Sequence, residues 1–278
     1  MSTGPHERSR IALGIDIGGS GIKGAPVHLS TGTFAAGRVR IPTPAPATPA
    51  AVAATVAQVV NAFALDLWVP VGVTFPAVIA HGVARSAANV DPSWIGTNVE
   101  EVVGAATGRR VLAVNDADAA GYAEVEYGAA KGVRGVVFVV TLGTGIGSAL
   151  IVDETLVPNT ELGHLEIDGV DAESLAADSA RERDDLDWHA WAVRLQRYFE
   201  VVEMLFSPDL IVVGGGVSRK HARFLPLLSL RAPIVPATLR NAAGIVGAAR
   251  LADQQRRTGL MAAATPPVPA RDDAAHPG

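Results

Sequence analysis

IALGIDIGGSGIKGAP, residues 11–26, and VVFVVTLGTGIGSALIV, residues 136–152, decide the architecture of this chain. Each carries a short apolar run that stops at a glycine-rich turn, the pattern of a buried strand that reverses tightly. DLIVVGGG, residues 209–216, ends in the same way. The likeness of DIGGS and TLGTGIG predicts two halves, each presenting one turn to a shared cleft.

Working outward, APVHL and the alternating FAAGRVRIP extend the first sheet towards residue 42, where the four prolines of PTPAPATPA (42–50) interrupt regular structure. AAVAATVAQVVNAFAL (50–65) reads as a helix and VPVGVTFPAVI (69–79) as a strand and turn. In TNVEEVVGAATG, Thr97 and Glu100 have capping-box spacing, and Gly108 is placed to end that helix. VLAV then forms a strand and residues 117–130 a helix. Trp188, Trp191, Leu195, Phe199, Val202 and Leu205 recur every three or four residues, one apolar helical face that suits a core or an interface. A last helix is expected over 242–254, with disordered tails at 1–10 and 255–278. Strands mixed with helices define an α/β fold.

The 278 residues are 49% hydrophobic and 18% charged, enough for a substantial core and two modest domains. No apolar run approaches the ~20 residues that span a bilayer, and the first ten lack a signal segment. A cytoplasmic protein with no membrane partner is expected. The absence of cysteine excludes disulfides, thiolate metal sites and cysteine catalysis. A net charge of −5, with no Lys/Arg run longer than two, marks no nucleic-acid surface. A polyanion would need a groove assembled from distant residues such as Arg85, Lys131, Arg134, Arg219 and Lys220.

DIGGSG and LGTGIGSAL set small residues and hydroxyls directly after a strand, where backbone N–H groups can approach a phosphate. Neither is a Walker A motif, and Ser148 breaks the dinucleotide fingerprint. Together with GGGVS (214–218) they point to a phosphorylated ligand. At the strand end in VLAVNDADAAG (111–121), Asn115 and Asp116 have two readings: a helix N-cap, or a carboxylate that orients an alcohol and accepts its proton during phosphoryl transfer. In NTELGHLEIDG (159–169), Glu161 and His164, with Glu173 beyond, suit neighbouring sugar hydroxyls; as metal ligands they have no recognised spacing.

Taken together, DIGGSGIKGAP, NDADAAG, TLGTGIGSAL, NTELGHLEIDG and DLIVVGGGVS resemble the ROK sugar kinases. FPAV, AANVDPSWIGTN, the RLQRY helix, LFSPDLIVVGGGVS and RNAAGIVGAA, in that order, bring the resemblance closer to the family's polyphosphate-using branch, over about residues 11–252. The resemblance implies an actin-like (ribonuclease H-like) fold of two α/β lobes, 11–116 plus 242–254 and 117–241, closing on glucose and phosphoryl donor. Asp116 falls at the position of the general base for the glucose 6-hydroxyl. Asn89, Asn115, Glu161, His164 and Glu173 fall, with Asp116, on glucose contacts. Gly18, Gly19, Ser20, Lys23, Thr141, Gly143, Thr144 and Gly145 fall on phosphate contacts, and Gly214, Gly215 and Gly216 on the turn that meets adenosine when ATP is used. Asp16 would stand near Mg²⁺, through water.

Some features depart from the family pattern. Ser20 replaces a threonine, His28 an aspartate, and only eight residues separate His164 from Glu173, without the Cys-rich insertion that holds zinc in other members, so no zinc is expected. The resemblance further implies a homodimer, and inorganic polyphosphate, with ATP, as donor. A glucokinase restricted to ATP or a mannose-accepting relative is the nearest alternative. A non-catalytic, sugar-responsive repressor is another class, and would carry a helix-turn-helix module ahead of the first strand. The polyphosphate path is expected near Lys131 or Lys220.

Overall fold

The computed structural model describes residues 10–87 and 90–264. β1 (Ile11–Gly18) and β2 (Gly21–His28) form an antiparallel hairpin, and β3 (Thr33–Phe34) and β4 (Val39–Ile41) pair along β2. After the proline-rich segment, α1 (Pro49–Asn61) begins at Thr48, whose hydroxyl accepts from Ala51 N–H. β5 (Val71–Phe75) joins β1 in parallel, and all five of its residues are buried, as a continuous apolar run demands. A small hairpin of β6 (Ile79–Ala80) and β7 (Val83–Ala84) and then α2 (Val99–Thr107) lead to β8 (Val111–Asn115), completing the order β3-β2-β1-β5-β8.

The α2 cap lies one residue later than the spacing predicted. Asn98, not Thr97, accepts from the backbone, at Glu101 N–H (3.2 Å), and its amide donates to the Glu101 carboxylate (2.9 Å). Glu100 instead accepts from Ala113 N–H on β8 (3.0 Å), so it is drawn away from the cap. Gly108 ends α2 in the left-handed region (φ 66°) as expected.

α3 (Asp116–Tyr127) follows β8 and leads to a second sheet. There β9 (Val136–Leu142), β10 (Ile146–Val152) and β11 (Thr155–Val157) run antiparallel. The little hairpin β12 (Glu166–Ile167)–β13 (Val170–Asp171), α4 (Ala172–Ala176), α5 (Asp178–Arg183) and α6 (Trp188–Phe206) come next. β14 (Leu210–Gly214) and β15 (Ile234–Pro236) then add in parallel, giving β11-β10-β9-β14-β15. α6 buries Trp191, Leu195, Tyr198, Phe199 and Val202. Leu205 leaves the expected face and is 53% exposed. At 100° per residue it falls roughly 70° off the centre of the stripe, and Tyr198 contributes in its place.

The chain closes with α7 (Ala243–Ala264), which packs on β1, β5 and α3, while α3 packs on β10. These two helices form the seam between the sheets. The approach of α7 is close: a Cβ at Gly14 would lie 1.8 Å from the Ile245 carbonyl oxygen and one at Gly72 2.0 Å from that of Ala248. α7 runs past Gln254, so residues 255–264, expected in a disordered tail, are helical. Asp253, buried on α7, holds Arg257 (3.0 Å) and Arg256 (3.6 Å) in ion pairs one turn on, and also pairs with Arg10. Residues 1–9 and 265–278 of the expected tails lie outside the described residues.

Candidate active site

Parallel β5 and β8 end side by side at Phe75 and Asn115, and the first turn of α3 starts there. Ends of this kind in α/β sheets leave a crevice for ligands. Asn115 caps α3: its side-chain oxygen accepts from Ala117 N–H (2.8 Å) and Asp118 N–H (3.1 Å). Its amide then donates to the Ala77 carbonyl (3.1 Å) and to Glu161 (3.4 Å). The two readings of Asn115–Asp116 are therefore divided between neighbours. Asn115 satisfies the helix end, and the carboxylate of Asp116 is left at the floor of the cleft.

Asp116 accepts from Ala117 N–H (2.9 Å) and is open to solvent through the cleft mouth. Protein crowds it on the other sides, and this desolvation, helped by the negative charges of Asp16 and Glu161, pushes its pKa up to about 6 against the opposing pull of Ala117 N–H. Asp16 stands across the cavity, held by the Thr74 hydroxyl (3.0 Å) and Lys23 (3.2 Å).

A cavity of 260 Å³ joins Asp116, Asp16 and Lys23 to Thr141, Gly214 and Gly215. Gly215 requires glycine on two counts: its φ is 82°, and a Cβ would lie 2.1 Å from the Leu142 carbonyl oxygen. On the turn between β9 and β10, Gly143 N–H donates to the Gly145 carbonyl (3.0 Å), and Glu173 accepts from Ile146 N–H (2.7 Å). A Cβ at Gly145 would collide with that carboxylate at 2.3 Å. Glu173 thus braces the turn while its charge also reaches His164. On the opposite turn, Thr43 bonds the Gly18 carbonyl and Arg40 the Ser20 carbonyl (2.9 Å), leaving Gly19 and Ser20 exposed. Thr144 is exposed likewise, and Gly216 starts a short 3₁₀ helix (Gly216–Arg223).

The same cavity contains a cation that the sequence reading passed over. Arg240 lines it with φ 51°, a conformation unusual for an arginine, and makes no ion pair among the described residues. Buried Glu124, two turns along α3 from Asp116, holds the segment before it: its carboxylate accepts from Leu239 N–H (2.7 Å), Thr238 N–H (3.2 Å) and the Thr238 hydroxyl (3.1 Å). Arg240 belongs to a stretch quoted for the resemblance, but neither its backbone angle nor the reach of Glu124 across the chain is visible in sequence.

Beside Asp116, the 159–164 loop is clamped to the β6–β7 hairpin. Asn159 (φ 59°) accepts from Ile79 N–H (2.8 Å) and donates to the Ile79 carbonyl (2.9 Å). Its own N–H donates to Asp118 (2.7 Å). Asp118 is buried, which raises its pKa to about 7 against that hydrogen bond, with the charges of Glu161 and Asp116 adding to the rise. His164 pairs through Nδ1 with Asp171 (2.9 Å), a bond that raises the histidine pKa, with burial opposing it. In the neutral ring this leaves Nε2 as an acceptor. Asn115 bonds Glu161, and the charge of Glu161 reaches both Asp116 and His164, with Glu173 also acting on His164; of these five only Asp116 lines the cavity, and Asn89 lies outside the described residues.

Two sheets joined through a helix pair, with a carboxylate between a polar loop and glycine-rich turns, define a sugar kinase of the actin-like class. Residues 12–183 match the model of the ROK family, and this chain belongs to that family. The polyphosphate glucokinase of Mycobacterium tuberculosis (strain CDC 1551 / Oshkosh) is 52% identical over 257 residues, 89% of this chain and 96% of that protein. The inorganic polyphosphate/ATP-glucomannokinase of Arthrobacter sp. strain KM superimposes with a TM-score of 0.83 at 58% identity, covering 88% of this chain and 99% of that one. A ROK family glucokinase from Streptomyces griseus, solved with glucose and AMPPNP, shares the fold at 23% identity and a TM-score of 0.72 over 88% of this chain and 99% of that one. No helix among the described residues is long and apolar enough to cross a membrane.

Proposed function

We propose that this chain transfers the terminal phosphoryl group of inorganic polyphosphate, and of ATP, to the 6-hydroxyl of glucose. One observation carries the reading: Asp116 is open to a cleft between the Asn115–Glu161 pair and the Lys23–Asp16 pair, with its pKa pushed up to about 6. A base of that strength is ionised at neutral pH yet basic enough to take a proton as the alcohol becomes a nucleophile. The O6–H proton passes to the Asp116 carboxylate, the O6–P bond forms, and the donor's bridging P–O bond breaks. The shortened donor keeps the electron pair.

Glu161, His164 and Asn115 would hold the sugar hydroxyls, with Glu173 behind His164. The exposed turns at Gly18–Ser20 and Gly143–Gly145 would face the donor phosphates, with Thr141 and Gly214–Gly216. Lys23 and Arg240 bring positive charge to the same cavity, and Arg240→Ala should raise the donor KM about tenfold while leaving the glucose KM within about twofold. Asp16 would hold a Mg²⁺ ion through water, since such ions need only one or two protein carboxylates. No cluster of three or more His, Cys, Asp or Glu that could cage a metal occurs among the described residues. When bound, Mg²⁺ would offset phosphate charge. The homodimer and cytoplasmic location belong to the same reading, the first read out by sedimentation.

The deciding assay is glucose 6-phosphate formation with Mg²⁺ and either ATP-free polyphosphate or ATP as sole donor. Turnover with polyphosphate is the expected result. Turnover with ATP alone would make the chain an ATP-restricted glucokinase, and glucose binding without turnover would make it a sugar sensor.

A further inference from the structure

Trp188 stands at the centre of a cluster of cations outside the cavity. Its ring stacks near Phe224 (6.1 Å between centroids, 16° between planes) and meets Trp191 edge-on at 5.9 Å. Phe224 and Trp191 are fully buried, so the platform is fixed. Around the ring lie Arg181 at 4.6 Å, Lys220 at 5.6 Å and Arg223 at 5.8 Å. Arg181 shares its charge with Asp178 (2.7 Å) and Glu182 (3.1 Å). Lys220 and Arg223 are exposed and form no ion pair among the described residues. An aromatic face can orient a cation without neutralising it, so their charge and N–H donors stay available to an anion. The 3₁₀ helix that carries them, GVSRKHAR, has three cations and no acidic residue in a chain of net charge −5, while the acidic Asp184, Asp185 and Asp187 lie on the neighbouring segment before Trp188.

The cluster is continuous with both donor-side turns. Lys220 and Arg223 lie on the 3₁₀ helix that begins at Gly216, where Ser218 returns N–H and hydroxyl bonds to the Gly215 carbonyl (3.3 and 2.8 Å). α5, which carries Arg181, is tied to the other turn through Ser179, whose N–H donates to the Gly143 carbonyl (3.1 Å). Lys131 has no such connection: α3 separates it from Asp116 by roughly 18 Å of helix.

We propose that Lys220 and Arg223, held around Trp188, form an outer site for the inorganic polyphosphate chain beyond the units in the catalytic cavity. This rests on polyphosphate being a donor. A long polyphosphate repeats its charge at every unit and can reach both places at once, which raises its effective concentration at the cavity. ATP presents three phosphates and then a nucleoside, so it gains nothing comparable from the cluster.

The test is the pair Lys220→Glu/Arg223→Glu, with Lys220→Gln/Arg223→Gln as a milder version. KM and kcat are measured for long-chain polyphosphate, tripolyphosphate and ATP over a range of salt. The expected result is a KM for long chains raised on the order of tenfold, with a shallower dependence on salt because fewer counterions are displaced. ATP and tripolyphosphate should stay within about twofold, which also reports an intact fold. An unchanged long-chain KM, or an equal loss for all three donors, would overturn the outer site. Wild-type enzyme that turns over ATP but not polyphosphate would instead remove the functional reading, and the outer site with it.

Discussion

Asp116 and Asp118 are the same side chain two positions apart on one helix, and they do different work. Two residues turn an α-helix by about 200°, so one carboxylate faces the cleft and the other the body of the protein beneath the 159–164 loop. Burial raises both, to about 6 and about 7. Asp116 keeps access to solvent, whereas Asp118 is 1% exposed and spends one oxygen on Asn159 N–H. A perturbed carboxylate acts as a base only where a substrate proton can reach it. The one sealed beneath the loop is a structural post, and the one a substrate can reach is the candidate base.

The largest effect should come from Asp116→Asn. Losing the proton acceptor should lower kcat on the order of a thousandfold, with glucose affinity by calorimetry changed less than about threefold. A variant keeping a tenth of wild-type kcat would put the base elsewhere. The pH profile sharpens the same contrast. Only the ionised form of Asp116 accepts a proton, so kcat/KM should fall about tenfold per unit below pH 6 and level off above it. The residual activity of Asp116→Asn should lack that limb, even though Asp118 is intact.

Asn159→Gly tests the neighbouring loop. Glycine accepts the φ of 59° without strain but removes both bonds to Ile79. Two hydrogen bonds of about 1 kcal/mol each, partly replaced by water, set the scale of the effect: a glucose KM raised about tenfold, with kcat reduced less than threefold. A loss confined to kcat would mean that the clamp serves the chemical step rather than the sugar.

What was legible in the sequence follows from periodicity and turn chemistry. Apolar runs ending in glycines located β1, β9 and β14, and Asn115 and Asp116 stood out because they interrupt such a run at its end. What was hidden depends on contacts between distant residues. Thr97 and Asn98 are both competent caps, and the choice between them goes with Glu100 turning to Ala113 N–H. The extension of α7 goes with buried Asp253, whose partners Arg256 and Arg257 read in sequence as tail residues. Asn159 is a turn former by composition, and its clamp on Ile79 exists only once the 159–164 loop meets the β6–β7 hairpin. Arg240 carried no chemical signal because its backbone angle and its cavity are properties of the folded chain.

The smallest effect on activity, and the clearest separation of the two carboxylates, is expected from Asp118→Asn. Because folding raises the Asp118 pKa from 3.8 to about 7, the folded protein holds a proton between those values that the unfolded chain has released. Its contribution to stability is therefore fully present below pH 3.8 and is lost as pH rises through 7. The amide can still accept from Asn159 N–H but cannot ionise, so the variant should lose this decline and gain up to about 4 kcal/mol over wild type above pH 7, read as the denaturation midpoint against pH. Turnover should stay within about threefold, since Asp116 and the loop remain in place. If the variant kept the wild-type slope across pH 4–7, the proton would reside on another group, and the division of labour between the two aspartates would have to be redrawn.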